Sequence, residues 1–213
     1  MTPGTILLSG NVGYSSHKTE TVPTSSTQGA SNRSFQQQQF QLVPLAGVFV
    51  AERLAVGAVA ALQQVKITEP EYTYGPGGQQ FGVRTARNNN LQIGPFVRYY
   101  QMVGDKAAFY GQLSGGYAGG KSRTTWEGAM VGPNITTEAS GGFAALQPGF
   151  VFFPSERLGL ELTVGSVSYV TMRNELVEPQ QVSGWADSRY TSFEARFGLT
   201  QLTLGASVYL GGK

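Results

Sequence analysis

Hydrophobic and polar positions alternate along this chain with a period of two. Between 54 and 63, Leu54, Val56, Ala58, Ala60 and Leu62 share one face while Ala55, Gly57, Val59, Ala61 and Gln63 share the other, as in a strand whose successive side chains point to opposite sides. The pattern recurs where Leu158, Leu160, Leu162 and Val164 alternate with Gly159, Glu161 and Thr163. It appears again where Leu202, Leu204, Ala206, Val208 and Leu210 alternate with Gln201, Thr203, Gly205, Ser207 and Tyr209. One face is apolar each time, and the other is small or polar. No apolar series at helical spacing runs beyond two turns, so strands are the expected element throughout.

The punctuation between these runs sets a topology. Ala51-Glu52-Arg53, Gly104-Asp105-Lys106 and Pro154-Ser155-Glu156-Arg157 each separate a pair of alternating runs by a few polar residues and read as tight antiparallel hairpins. Longer segments rich in Ser, Thr, Gln, Asn, Gly and Pro, roughly 15–35, 67–89, 120–136 and 171–190, read as long loops. With a first strand near Thr5 to Tyr14 and a last one from Thr191 to Leu210, the count is eight strands in a single domain, 1–213. The last strand slips phase: Phe193, Ala195, Phe197 and Leu199 are odd while Leu202 to Leu210 are even, so a β-bulge is expected near Thr200 and Gln201.

Composition decides what surrounds these strands. Only 13% of the 213 residues are charged, 40% are hydrophobic and 29 are Gly, against about 25% charged in soluble domains. No apolar run reaches the roughly 18 residues of a membrane-spanning helix, whereas a barrel strand crosses with about 9 to 11. Alternating strands, short turns at one end and long loops at the other predict an all-β, eight-stranded antiparallel up-and-down transmembrane barrel, with short periplasmic turns, extracellular loops and a place in the outer membrane. Membrane lipid and lipopolysaccharide are then its surroundings. Gly57, Gly159 and Gly205 fall on the inward face, as a narrow interior requires. Tyr14, Tyr99, Tyr100, Phe109, Tyr117, Phe152, Phe153 and Phe193 are expected in the two aromatic girdles. The alternative closure, apolar inside, would give a soluble lipocalin-like barrel for an apolar ligand; the small, polar second face argues against it.

Other classes fall away. Cysteine is absent, which removes disulfides and thiolate chemistry. A net charge of +2 from scattered Lys and Arg offers no basic stripe for nucleic acid. Met1-Thr2-Pro3-Gly4 carries no secretory signal, so a processed chain is expected.

Three stretches carry a family resemblance. They are Leu42-Val43-Pro44-Leu45-Ala46-Gly47-Val48-Phe49 with Glu52-Arg53-Leu54-Ala55-Val56-Gly57, then Ile93-Gly94-Pro95-Phe96-Val97-Arg98-Tyr99-Tyr100, and Leu146-Gln147-Pro148-Gly149-Phe150-Val151-Phe152-Phe153 with Ser155-Glu156-Arg157-Leu158. Each joins a strand with an internal Pro to a polar turn and a return strand. Over nearly the whole chain this resembles the outer-membrane β-barrel domain family common in Bacteroidota. The resemblance implies eight strands and the outer membrane, with no catalytic residues and no cofactor. Members often end on an aromatic residue, whereas this chain ends Tyr209-Leu210-Gly211-Gly212-Lys213.

Candidate chemistry is sparse. Gly115 to Ser122 fits the spacing of a phosphate-binding loop, but Arg123-Thr124-Thr125-Trp126 and the Gly and Pro beyond cannot supply the helix that loop needs, so a Gly-rich strand is expected. His17 is the sole histidine. Catalysis there, with Ser15, Ser16, Glu20, Asp187 or Ser188, would make the protein a lipid-modifying hydrolase or acyltransferase; a solvated loop histidine is the plainer expectation, and no enzyme is predicted. Arg98, Glu161, Glu194 and Arg196 fall on the inward face and are expected as lumen ion pairs that plug the barrel. Tyr72, Tyr74, Trp126 and Trp185 are expected as loop aromatics able to anchor a protein partner.

Overall fold

The computed structural model describes residues 2–21, 33–75, 78–128, 134–177, 187–198 and 202–211. They form ten strands and no helix: β1 (Ile6–Thr21), β2 (Arg33–Ala51), β3 (Leu54–Gly75), β4 (Gly78–Met102), β5 (Ala107–Gly128), β6 (Ile135–Ser155), β7 (Leu158–Thr163), β8 (Gly165–Leu176), β9 (Ser188–Phe197) and β10 (Thr203–Leu210). All pairings are antiparallel, and the ring closes from β5 through β4, β3, β2, β1, β10 and β7 to β6, which pairs back to β5. β7 and β8 belong to one span and β9 and β10 to another, which makes eight spans.

Tight turns fall where the polar intervals placed them. Arg53 turns with a φ of 66° between β2 and β3, and Gly104 with 69° between β4 and β5. The third turn is shorter than expected, because Pro154 and Ser155 still belong to β6 and Ser155 pairs with Leu158.

The described parts of the expected long loops are mostly strand. β3 and β4 pair without interruption from Leu54 opposite Tyr99 to Gly75 opposite Gly78, leaving only 76–77 between them. β1 runs on to Thr21 and β5 to Gly128. At about 3.3 Å per residue the 22 residues of β3 reach about 70 Å, far more than a membrane crossing. Above the membrane both faces meet water, so these hairpins need no apolar side and show no apolar alternation.

Within the membrane the alternation sorts side chains cleanly. Leu62, Leu91, Ile93, Val97, Tyr99, Leu113, Leu160 and Leu204 face outward and are exposed, while Leu7, Phe49, Ala55, Val59, Phe96, Ala108 and Val151 face inward and are buried. The outward band covers 54–62 on β3 and 91–99 on β4, nine residues each, which matches the 9 to 11 of a barrel strand. The soluble reading, with apolar side chains inside and polar ones outside, does not fit. Tyr14, Tyr99, Phe109, Tyr117, Phe152 and Phe193 are outward and exposed. Tyr100 and Phe153 are not in the girdles: each follows an outward aromatic, so parity turns it inward, where Tyr100 is buried and Phe153 packs edge-on against Tyr209.

Glycine and proline fit the wall together. A Cβ on Gly57 would run into the carbonyl of Ala46 and the ring of Phe96. Pro44 and Pro95 have no amide to donate, and the ladder skips at both: β2 pairs with β3 at Leu42 and again at Leu45, and β4 with β5 at Ile93 and again at Phe96.

The ring is uneven. β1 pairs with β10 from Ile6 opposite Leu210 to Gly10 opposite Ala206, and among the described residues β1 beyond Gly10 pairs with β2 alone. Among the described residues β9 pairs only with β8. The bulge expected at Thr200 and Gln201 lies outside the described residues, but facing does reverse between Phe197 and Leu204, both outward and exposed. A matching slip is seen across the sheet, where Val164 separates β7 from β8 and Gly165, the first residue of β8, has a φ of 116°.

This sorting predicts that Leu160→Arg, in the lipid-facing band, destabilises the barrel by about 2 to 4 kcal/mol, while Gln64→Arg, above the band, changes stability by about 1 kcal/mol or less. Urea unfolding from phospholipid vesicles measures both.

Candidate functional site: a plugged lumen

The interior at mid-barrel is filled by a hydrogen-bonded cluster. Arg98 on β4 and Glu161 on β7 are only 4% and 6% exposed, and Arg98 Nη1 donates to Glu161 Oε1 across the lumen at 2.8 Å. Neither strand neighbours the other, so the pair links distant walls. Register delivers both groups: Arg98 lies opposite Gln112 on β5, Gln112 opposite Gln147 on β6, and Glu161 opposite Val151 on β6, all on the inward face.

Further bonds complete the guanidinium. Its Nε donates to Gln112 Oε1 at 2.9 Å and Nη1 also reaches the Tyr100 hydroxyl at 3.2 Å, while its central carbon lies 4.5 Å from the ring centre of Tyr110. Gln112 Nε2 donates to Gln147 Oε1 at 3.3 Å, and the hydroxyls of Tyr110 and Thr163 bond at 2.9 Å. Tyr100 and Tyr209 share a bond of 3.4 Å, and Ser207 Oγ donates to the Tyr209 hydroxyl at 3.1 Å. A buried ion pair needs such extra partners to offset its desolvation.

Below the polar layer sits an aromatic one. Phe49 packs 5.5 Å from Tyr100 and 6.2 Å from Tyr209, and Tyr100 lies 6.0 Å from Tyr110. The free volume left around Arg98 and Glu161, bounded also by Asn11, Gln41, Gln147 and Thr203, is about 90 Å³. That is room for a few waters.

The other expected site residues do not join this cluster. Glu194 and Arg196 share the inward face, opposite Ser168 and Ser166, yet they pair with each other at 3.0 Å with side chains 40% and 62% exposed. They stand on β9, where the described strands form no second wall contact. Trp126 is no exposed loop anchor: it lies in β5 opposite Arg84, half-buried, with its indole N–H lacking a hydrogen-bond partner among the described residues. The Arg84 guanidinium sits 5.9 Å from its ring and pairs with Glu69. Tyr72 and Tyr74 belong to β3, opposite Phe81 and Gln79, and Trp185 lies outside the described residues.

His17 sits in β1 opposite Gln37 and is exposed. The acids that could have served it have other partners: Glu20 pairs with Lys18 and Asp187 with Arg173. The hydrogen bond and charge of Lys18 hold the Glu20 carboxyl below its ordinary range. Gly115 to Ser122 is uninterrupted β5, paired throughout with β6 and from Tyr117 onward with β4, and Lys121 binds Glu138, so no phosphate loop forms.

Tyr100, Tyr110, Gln112, Ser207 and Tyr209 were not singled out as site residues from the sequence. Parity applied from Ala108 along β5 would have found Tyr110 and Gln112, since every second residue to Ser114 is buried.

A closed antiparallel ring with an apolar outer band, a polar packed lumen and turns at one end is a transmembrane β-barrel, the architecture of bacterial outer-membrane proteins. The chain is an integral outer-membrane protein of that class. No family model and no curated protein matches its sequence. Among solved structures it is similar to the outer membrane protein OprG from Pseudomonas aeruginosa, at 15% identity over 99% of this chain and 98% of that one, with a TM-score of 0.43. It is also similar to Ail, the attachment invasion locus protein of Yersinia pestis, at 14% identity over 98% and 100%, TM-score 0.38. The outer membrane protease OmpT from Escherichia coli is 8% identical over 98% and 90%, TM-score 0.35. At these scores nothing specific to those proteins transfers to this chain.

Removing one partner of the plug strands a buried charge, so Glu161→Ala is expected to cost about 3 to 5 kcal/mol, whereas the double variant R98M/E161L recovers most of that loss. Unfolding midpoints in detergent or vesicles decide this, and equal stability of E161A and wild type would contradict the role assigned to the pair.

Proposed function

We propose that the protein is a closed outer-membrane barrel with a mainly structural or surface-binding role, and not a wide pore. The observation that carries this reading is the Arg98–Glu161 pair, which together with Gln112, Tyr100 and Tyr110 spans the lumen and leaves about 90 Å³ free. An eight-stranded barrel has only enough interior for its own side chains.

The surface role rests on the hairpins above the membrane. β3, β4 and β5 run for 22, 25 and 22 residues, so a large share of the chain stands outside the lipid as ordered sheet, a platform for a protein partner. Lipopolysaccharide is the other component this surface would meet. The commitment of Glu20 and Asp187 to Lys18 and Arg173 supports a non-enzymatic reading over a histidine-based hydrolase. The three proline-bearing strand and turn stretches around Pro44, Pro95 and Pro148 support membership of the outer-membrane barrel family common in Bacteroidota.

The purified protein in planar bilayers should give no stable large openings. Sustained openings of porin size would overturn the closed reading. Lipid A incubated with the protein should keep its mass, and conversion that is lost in His17→Ala would establish an enzyme instead.

A further inference from the structure

Three cations stand side by side on the outer face above the apolar band. Lys66 on β3 lies opposite Arg87 on β4, and Arg87 lies opposite Arg123 on β5. All three are exposed, on the same outward parity as Leu62 and Leu91. Directly opposed residues have Cβ atoms about 5 Å apart, where like charges destabilise a sheet.

Among the described residues no carboxylate answers them. Neighbouring acids on the rim are taken: Glu138 by Lys121, Glu20 by Lys18, and Glu175 and Asp187 by Arg173. Among the described residues Lys66, Arg87 and Arg123 have no ion-pair partner. A row of like charges kept in register is explained by a multiply charged anion that lies across it.

Two recesses on the same face say what that anion is attached to. One, about 450 Å³, is bounded by Lys66 and Arg87 with Gln38, Gln64, Tyr14 and Phe40. The second, about 460 Å³, continues down to Leu62, Leu91 and Tyr117 and shares Phe40 and Gln64 with the first. From top to bottom the surface offers cations, then side-chain amides, then aliphatic and aromatic side chains at the head of the lipid-facing band. Phosphate, sugar hydroxyls and acyl chains match that order.

The geometry points to a binding site for a phosphorylated, acylated glycolipid of the outer leaflet. Its phosphate lies on Lys66, Arg87 and Arg123, its sugar against Gln38, Gln64 and Asn89, and its acyl chains against Phe40, Leu62, Leu91 and Tyr117. Arg87 and Arg123 each present a planar fork that can grip phosphate through two N–H groups.

Native mass spectrometry of the full chain in detergent, with bisphosphorylated lipid A as probe, tests the site. Wild type should hold the lipid, and K66Q/R87Q/R123Q should bind it about tenfold or more weakly, while Lys18→Gln, which removes a paired cation from the same face, should bind as wild type. Dephosphorylated lipid A should bind wild type about tenfold or more weakly than bisphosphorylated lipid A does, a comparison made on wild type alone that stands even if the triple variant does not fold. Equal binding of the triple variant, or of the dephosphorylated lipid, would overturn the proposal. Displacement of the lipid by an equal concentration of inorganic phosphate would also overturn it, because the cations would then form a plain anion site.

Discussion

Hydrocarbon offers no hydrogen-bond partner to a peptide group, so a sheet can cross a membrane only if its edges are joined. Most of this molecule follows from that constraint. Eight spans close through β5–β6 and through the short β1–β10 ladder, and eight spans enclose an interior no wider than the side chains that fill it. Closure therefore fixes the lumen. Where Gly57 and Gly159 meet neighbouring walls, a Cβ has no room, and where room remains, Arg98 and Glu161 occupy it.

The same two-residue period gives charge a different meaning at each height. Inside the membrane an outward charge costs several kcal/mol, and the only buried charges among the described residues, Arg98 and Glu161, meet each other inside the lumen. Above the membrane outward charges are cheap, and they cluster: Lys121 with Glu138, and Arg173 with Glu175 and Asp187. Exposed pairs of that kind add little stability. Lys66, Arg87 and Arg123 break the pattern, since their register sets like charge beside like charge.

Legibility in the sequence tracked the environment. The bands at 54–62, 158–164 and 202–210 could be read because lipid outside and a packed lumen inside impose opposite demands on alternate residues. Arg98 and Glu161 could be placed inward by the same parity, but that they meet depends on the curvature of the ring and not on either strand. Tyr100 and Phe153 were misplaced because an aromatic beside an aromatic looks like a girdle until parity is applied to each. The segment 67–89 looked like a loop because strands with water on both sides carry no apolar signal. Glu194 and Arg196 have the expected facing, but packing over them would need a second wall, and the described stretch of β9 has only β8 beside it.

The absence of cysteine makes single-cysteine spin labelling clean, and collision accessibility along β3 tests the central claim of an apolar outside and a plugged inside. Labels at 56, 58, 60 and 62 should collide freely with oxygen and little with a water-soluble nickel reagent. Labels at 55, 59 and 61 should be shielded from both, and those at 64 and 66 should meet the nickel reagent. Nickel accessibility at 55, 59 and 61 would mean a water-filled lumen, and oxygen accessibility at those inward positions in place of 56 to 62 would mean a barrel turned inside out; either result would contradict the structure's account of this protein.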